Sequence, residues 1–438
     1  MPCRELQYTS KSDWKALNDR LKGRWSTDIA MEQRVRDILD QVRDQGDAVL
    51  VDYTRRFDCP EFQKELIAIP TDNLSRALGA IPATDRAILE TTIRNVREFH
   101  EQQKQRSWFQ TRPDGTILGQ MVRPVERVGL YVPGGQGGTT PLISSMIMNA
   151  VPALVAGVDA VAVVSPPRAD GTLDDYLLAT AALLNISEIY RLGSAWAIAA
   201  LAHGTETVPP VDVIAGPGNI YVTTAKRLLV GHVGIDMIAG PSEIAILADD
   251  TANPEWLAAD MLSQAEHDPL AASILISPSS GLLARVKTAL EDQLEKLPRA
   301  ETARQSLQDW GALIQAPSME TGAELVNLLA PEHLELCVAD PWQLLGRIRN
   351  AGAIFMGHHC PEPVGDYFAG PNHVLPTLGT ARFASGLSVD NFIKKSNIIA
   401  TSCEYISTHA KDIARLATLE GLDAHARSVL ERLPRSTG

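Results

Sequence analysis

At 438 residues the chain exceeds what one hydrophobic core supports, so two to four folding units are expected. Apolar residues make up 45% and charged residues 21%, ordinary for a globular protein, and no apolar run reaches the length of a membrane span. The formal net charge of -13 repels a phosphate backbone and no basic stripe offsets it, which argues against nucleic acid as a partner.

The N-terminus, MPCRELQYTSKSDWK, lacks an apolar stretch suited to a secretory signal, so a cytoplasmic chain is expected. Cys3, Cys59, Cys337, Cys360 and Cys403 are odd in number and scattered, without a CxxC pair. They read as reduced and mostly structural, which leaves histidine, carboxylate and amide groups as ligands for any metal.

Residues 1–125 read as a helical segment packing with the second of two later modules, with amphipathic runs near 28–45 and 84–105. From Arg127 short apolar strands alternate with helices, the pattern of parallel α/β units. A first module, 126–238, has strands near 128–132, 160–164, 188–192 and 211–215. A second, 239–385, has strands near 243–247, 272–276, 312–315, 334–338 and 353–356. Beyond Gly379 the strand rhythm stops, and 402–433 within the tail 386–438 reads as one or two helices. The fold class expected is α/β: two Rossmann-like parallel modules with a cleft between them, an N-terminal helical segment and a small helical tail. A tail that small buries too little surface to stand alone.

Two glycine-rich turns, YVPGGQGG and AGPGNIYVTTAKR, follow first-module strands. The second opens a helix whose backbone amides could meet a phosphate, although GxGxxG is absent and a plain tight turn explains it equally well. In NPEWLAADMLSQAEHDP, Asn253 is a plausible N-cap and Pro254 the first helical residue. Gln264 and His267 then share a helical face and could share a cation, against the alternative of a helix-end histidine in solvent. APEHLEL places Glu332 beside His333 at a strand start, a pairing suited to proton transfer or simply a polar strand entry. HHCPEPVGDYFAGPNHVLP puts Asp366 and His373 on a Gly- and Pro-rich loop, with His358 and His359 read as surface groups. LEGLDAHARS sets Glu420 and His425 five residues apart, a weak signal by itself.

Taken in order, RVGLYVPGG, MNAVPA, AGPGNIYV, AGPSEI, SQAEHDP, PEHLEL, GDYFAGPNHVLPT and EGLDAHARSV resemble the histidinol dehydrogenase family, from about Arg36 to Leu433. The resemblance implies a zinc- and NAD-dependent oxidation of L-histidinol through L-histidinal to L-histidine, the end of histidine biosynthesis. It implies one zinc per subunit on Gln264, His267, Asp366 and His425, donors that would also accept cobalt or manganese. Glu332 and His333 match the family's acid-base pair, with His333 the base of the oxidations and Glu332 activating the water that adds to the aldehyde. Implied substrate contacts are Ser242, Gln264, His267, His333, Asp366, His373, Glu420 and His425, and implied cofactor contacts Tyr131 and Asn219. The family is also a homodimer whose tail reaches the partner's site, which suits a tail too small to fold alone.

Two departures fall on the cofactor side. GSAWA stands where the family usually has GGAQA, placing Trp196 at the cofactor position, there to stack on NAD or to be core. The loop at 136–145 is longer than the common form and lacks its aromatic residue. Competing readings are a paralogue oxidising another polar alcohol such as a polyol sulfonate, and a zinc hydrolase in which Glu332 activates water without a redox step.

Overall fold

The computed structural model describes residues 3–9, 11–24, 29–134 and 142–433. In chain order its strands are β1 (Arg4–Gln7), β2 (Trp108–Thr111), β3 (Ile117–Pro124), β4 (Arg127–Tyr131), β5 (Ala160–Ser165), β6 (Glu188–Arg191), β7 (Val213–Ala215), β8 (Gly234–Ile235), β9 (Glu243–Ala248), β10 (Ala272–Ser277), β11 (Ala312–Gln315), β12 (His333–Cys337), β13 (Ala353–Met356) and β14 (Ile393–Ala400). The chain divides into two compact units. One comprises Met1–Gln103 with Val125–Phe392, the other Lys104–Pro124 with Ile393–Gly438.

The first unit holds two parallel sheets. Strands such as AVAVVS, EIAILA and ASILIS are apolar on both faces, as sheets covered by helices on each side require, and β9 and β10 are buried along their whole length. One sheet has the order β6-β5-β4-β7-β8 and the other β1-β11-β10-β9-β12-β13. In each the strand order changes direction at a central strand, between β4 and β7 in one and between β9 and β12 in the other. The α/β class and the two modules are therefore as expected.

The N-terminal segment differs from its reading. Arg4–Gln7 is a strand at the edge of the second sheet, paired with β11, and its four exposed, polar-rich residues carry no apolar pattern to announce it. The following helices divide between the modules. Leu17 and Leu21 of helix Lys11–Lys22 join the second sheet's core, whereas the stripe Met31, Val35, Ile38 and Val42 of helix Ile29–Gln45 packs in the first sheet's core beside Trp196. Apolar spacing near 28–45 marks the second of these as amphipathic without saying which sheet would cover it.

In the second unit β14 runs antiparallel to β3 over eight residue pairs and β3 antiparallel to β2, giving the order β14-β3-β2. A strand beyond Gly379 corrects the expectation of a purely helical tail. IKKSNIIA is mostly exposed, so it shows no buried run, and its partner lies far away in sequence. Two helices, Cys403–Leu419 and Asp423–Leu430, follow as expected. All five cysteines are free, and among the described residues no helix is long and apolar enough to cross a membrane.

Candidate active site

A helix joining two parallel strands runs back against them, so its last turn returns to the amino edge of the sheet. Helix Pro254–Ala265 starts where Asn253 accepts the Glu255 N–H at 2.9 Å, and ends with Gln264 and the exposed His267 at that edge. Ser242 leads into β9 there, and Glu332 and His333 open β12, which pairs with β9. Ligands of open α/β sheets usually bind at the carboxyl ends of the strands. Here Ser242, Gln264, His267, Glu332 and His333 gather instead at the amino ends of the second sheet.

The backbone of Glu243 fixes the adjacent acid and base. Its N–H donates to Glu332 Oε2 at 2.9 Å, and its carbonyl lies 3.1 Å from His333 Nδ1. A carbonyl only accepts, so Nδ1 carries the proton and Nε2 is left with its lone pair. His333 is 4% exposed, and Nε2 has no hydrogen-bond partner. Burial lowers its pKa to about 4, so the ring is neutral at physiological pH. Burial likewise pushes the Glu332 carboxyl well above the usual carboxylate range. Close packing beneath the pair requires Gly352, because a Cβ there would stand 2.5 Å from the Glu332 carbonyl.

His333 Nε2 points at two carboxylates, 3.8 Å from Asp366 Oδ1 and 4.0 Å from Glu362 Oε1. Both come from helix Glu362–Tyr367, four residues apart and so on one face. His373 Nδ1 lies 4.0 Å from the same Asp366 oxygen. Donor atoms of His267, Glu362 and Asp366 lie within 4.8 Å of one another, a spacing that could hold a cation. Gln264 Oε1 is buried without a partner, as a waiting ligand would be. Nitrogen and oxygen donors, one an orphaned amide oxygen, fit zinc. Asp366 thus lies on a short helix and not on the loop expected, and Glu362 was not singled out in the sequence because its four-residue spacing to Asp366 carries meaning only on a helix. His358 and His359 stand apart from this cluster, the first bonded to Thr251 Oγ1 at 3.1 Å and the second against Trp256.

Glu420 and His425 belong to the second unit. Both are exposed and border a groove between its two helices, with Leu416, Leu422 and Ser428. Every other implied substrate and metal residue lies in the first unit, where the distances bring together His267, His333, Asp366 and His373, with Glu362.

Cofactor candidates cluster at the carboxyl ends of the first sheet, on either side of its reversal point. Tyr131 ends β4, and its buried hydroxyl accepts the Ser194 N–H at 3.2 Å. Asn219 is exposed and caps helix Ile220–Leu228, its Oδ1 accepting from Tyr221 N at 3.1 Å and Val222 N at 3.2 Å. Gly216, after β7, has φ +122°, and a Cβ would stand 2.1 Å from the Tyr131 carbonyl, so only glycine fits. Buried Lys226 and Asp236 form an ion pair that grips this turn, Lys226 Nζ donating to the Gly216 carbonyl at 2.9 Å and Asp236 Oδ2 accepting its N–H at 2.9 Å. Trp196 is 4% exposed and stacks on Tyr53 at 5.4 Å and Phe57 at 5.7 Å. It is thus part of the first sheet's core, with its indole N–H unpartnered. The glycine-rich turn at 135–141, which carries most of the altered loop, lies outside the described residues.

Residues 22–433 match the sequence profile of the histidinol dehydrogenase family. The chain is 61% identical to a histidinol dehydrogenase of Oleidesulfovibrio alaskensis over 433 residues, 99% of this chain and 100% of that one. It is 50% identical to a histidinol dehydrogenase of Bacillus subtilis over 94% of this chain and 96% of that one. A crystal structure of histidinol dehydrogenase from Elizabethkingia anophelis superposes with a TM-score of 0.91 at 34% identity, covering 98% of each chain.

Proposed function

Because the chain belongs to the histidinol dehydrogenase family, we propose that it oxidises L-histidinol through L-histidinal to L-histidine at the amino edge of its second sheet, with NAD as electron acceptor. The observation that carries this reading is the buried, partnerless Nε2 of a neutral histidine, 3.8 Å from Asp366 Oδ1 and 4.0 Å from Glu362 Oε1. Gln264, His267 and Asp366, completed by His425, would hold one zinc per subunit. Zinc bound there would supply a fixed positive charge and a Lewis acid that holds and orients a substrate with nitrogen donors. Tyr131 and Asn219, at the carboxyl ends of the first sheet, would hold NAD, which would supply the hydride acceptor for each half of the reaction.

His333 Nε2 takes the hydroxyl proton as the hydride leaves. Its tautomer is already set by the Glu243 carbonyl, so no rearrangement precedes the transfer. Glu332 takes a proton from the water that adds to the aldehyde, and its raised pKa makes the ionised form the stronger base. Ser242, His373 and Glu420 complete the substrate contacts. Keeping the aldehyde at one site through both oxidations protects a reactive aminoaldehyde from solvent.

His425 and Glu420 would come from the tail of a second copy in a homodimer. In support, the buried apolar side chains among the second unit's described residues are Ala410, Ala414 and Ala426, while Leu416 and Leu419 are 64% and 63% exposed. Such a unit lacks a core and needs another surface.

A spectrophotometric assay with L-histidinol and NAD tests the whole reading. Two NADH per histidinol are expected, lost on treatment with a chelator and restored by zinc. Turnover of other polar alcohols but not histidinol would overturn the substrate, and turnover indifferent to chelation would overturn the metal.

A further inference from the structure

Beneath the proposed metal site lies an acidic residue that the chemistry does not use. Glu335 sits two residues after His333 on β12, hence on the same strand face, and is 1% exposed between the fully buried Leu334 and Leu336. A carboxyl in such a place is costly unless it is hydrogen-bonded. It is: Oε1 accepts the Glu362 N–H at 2.8 Å, the side chain hydrogen-bonds Asp260, and Cys337 Sγ lies 3.9 Å from Oε2. Asp260 precedes Gln264 by four residues on one helix, and Glu362 precedes Asp366 by four on another, so each contact lies one turn from a ligand on the same face. Helix Glu362–Tyr367 has six residues, too few for stability alone, and Pro361 at its N-cap offers no side-chain acceptor. Glu335 supplies that acceptor from the neighbouring strand.

We propose that Glu335 is a positioning residue for the metal site, holding the Gln264 helix and the Asp366 helix at the separation zinc requires. The inference rests on the zinc site proposed above. Two carboxyls within hydrogen-bond distance share one proton, and glutamine reproduces that arrangement, its oxygen accepting from Glu362 and its amide donating to Asp260. Leucine has similar volume and suits the apolar strand, yet makes neither bond.

Zinc transfer from the loaded full-length protein to a chromogenic chelator reads the effect directly, with the melting temperature of the metal-stripped protein measured alongside. Residues that orient metal ligands from behind typically change metal affinity by about ten- to a hundredfold. Glu335→Leu should therefore release zinc at least about tenfold faster than wild type, with Glu335→Gln within about twofold of wild type. Release from Glu335→Leu at the wild-type rate, or equal impairment of both variants, would overturn the proposal. Should Glu335→Leu fail to fold, Asp260→Ala against Asp260→Asn makes the same comparison from the other partner, with the same two outcomes. A wild-type protein that takes up no zinc would sink the zinc-site reading itself, whereas equal release rates in a zinc-binding wild type and in Glu335→Leu would sink this inference alone.

Discussion

His333 joins chemistry to stability through its burial. Its pKa is about 4 in the folded chain and about 6.5 in an unfolded one, so below pH 6.5 the unfolded chain takes a proton that the folded chain refuses. Stability is therefore lost as pH falls from 6.5 towards 4, by roughly 3 kcal/mol at about 1.4 kcal/mol per unit. Urea titrations of the metal-free protein at neutral pH and near pH 4.5 should show this loss, and His333→Gln should flatten the difference by roughly 2 to 3 kcal/mol. An unchanged slope in the variant would mean that the ring is protonated or solvated in the fold. Glu332 permits a separate kinetic test. Glu332→Gln should slow the aldehyde-to-acid half more than the alcohol-to-aldehyde half, because only the former adds water. Equal losses from histidinol and from histidinal would contradict that role.

Among the elements, the cap of helix Ile220–Leu228 has an observed structural role and a proposed one at the cofactor, and the two can be tested apart. Asn219 Oδ1 accepts two backbone N–H groups, and the same helix end would face the cofactor's phosphates. Asn219→Ala removes the cap and should cost about 1 kcal/mol of stability. Asn219→Asp keeps the cap but adds a negative charge, so its melting temperature should stay near wild type while KM for NAD rises severalfold. An unchanged KM would place NAD elsewhere. Elements also show where sequence patterns lose force. Apolar runs such as AVAVVS announced parallel strands because both faces are buried, whereas β2, β3 and β14 escaped notice. The turn RPDGT at 112–116, where Asp114 Oδ1 accepts the Thr116 N–H at 2.9 Å, was a usable hairpin signal between WFQT and ILGQMV.

For the whole molecule, the decisive question is which chain completes each site. If the proposed homodimer shares its sites, His333→Ala and His425→Ala proteins, each inactive alone, should regain activity when unfolded and refolded together, because mixed dimers would hold one site free of both changes. Random pairing makes about half the dimers mixed, each with one intact site of two, so roughly a quarter of wild-type activity is the ceiling. Subunits that demonstrably exchange yet recover no activity would put His425 in its own chain's site.

Apolar runs alone were enough for the two-module α/β class, because strands buried on both faces leave such runs, whereas the Gln264–His267 and Glu332–His333 pairs were legible by spacing but acquired a shared role only through the family resemblance. Pairings distant along the chain were decided by tertiary structure alone. Nothing in IKKSNIIA names residues 117–124 as its partner, and nothing in PEHLEL shows that Glu335 would reach Asp260 and the Glu362 N–H. Trp196 illustrates the same limit, since only packing reveals Tyr53 and Phe57 stacked beside it. Contacts within a few residues are set by backbone geometry, which sequence spacing encodes. Contacts across the fold depend on which surfaces meet, and that is fixed only when the whole chain has buried its apolar faces together.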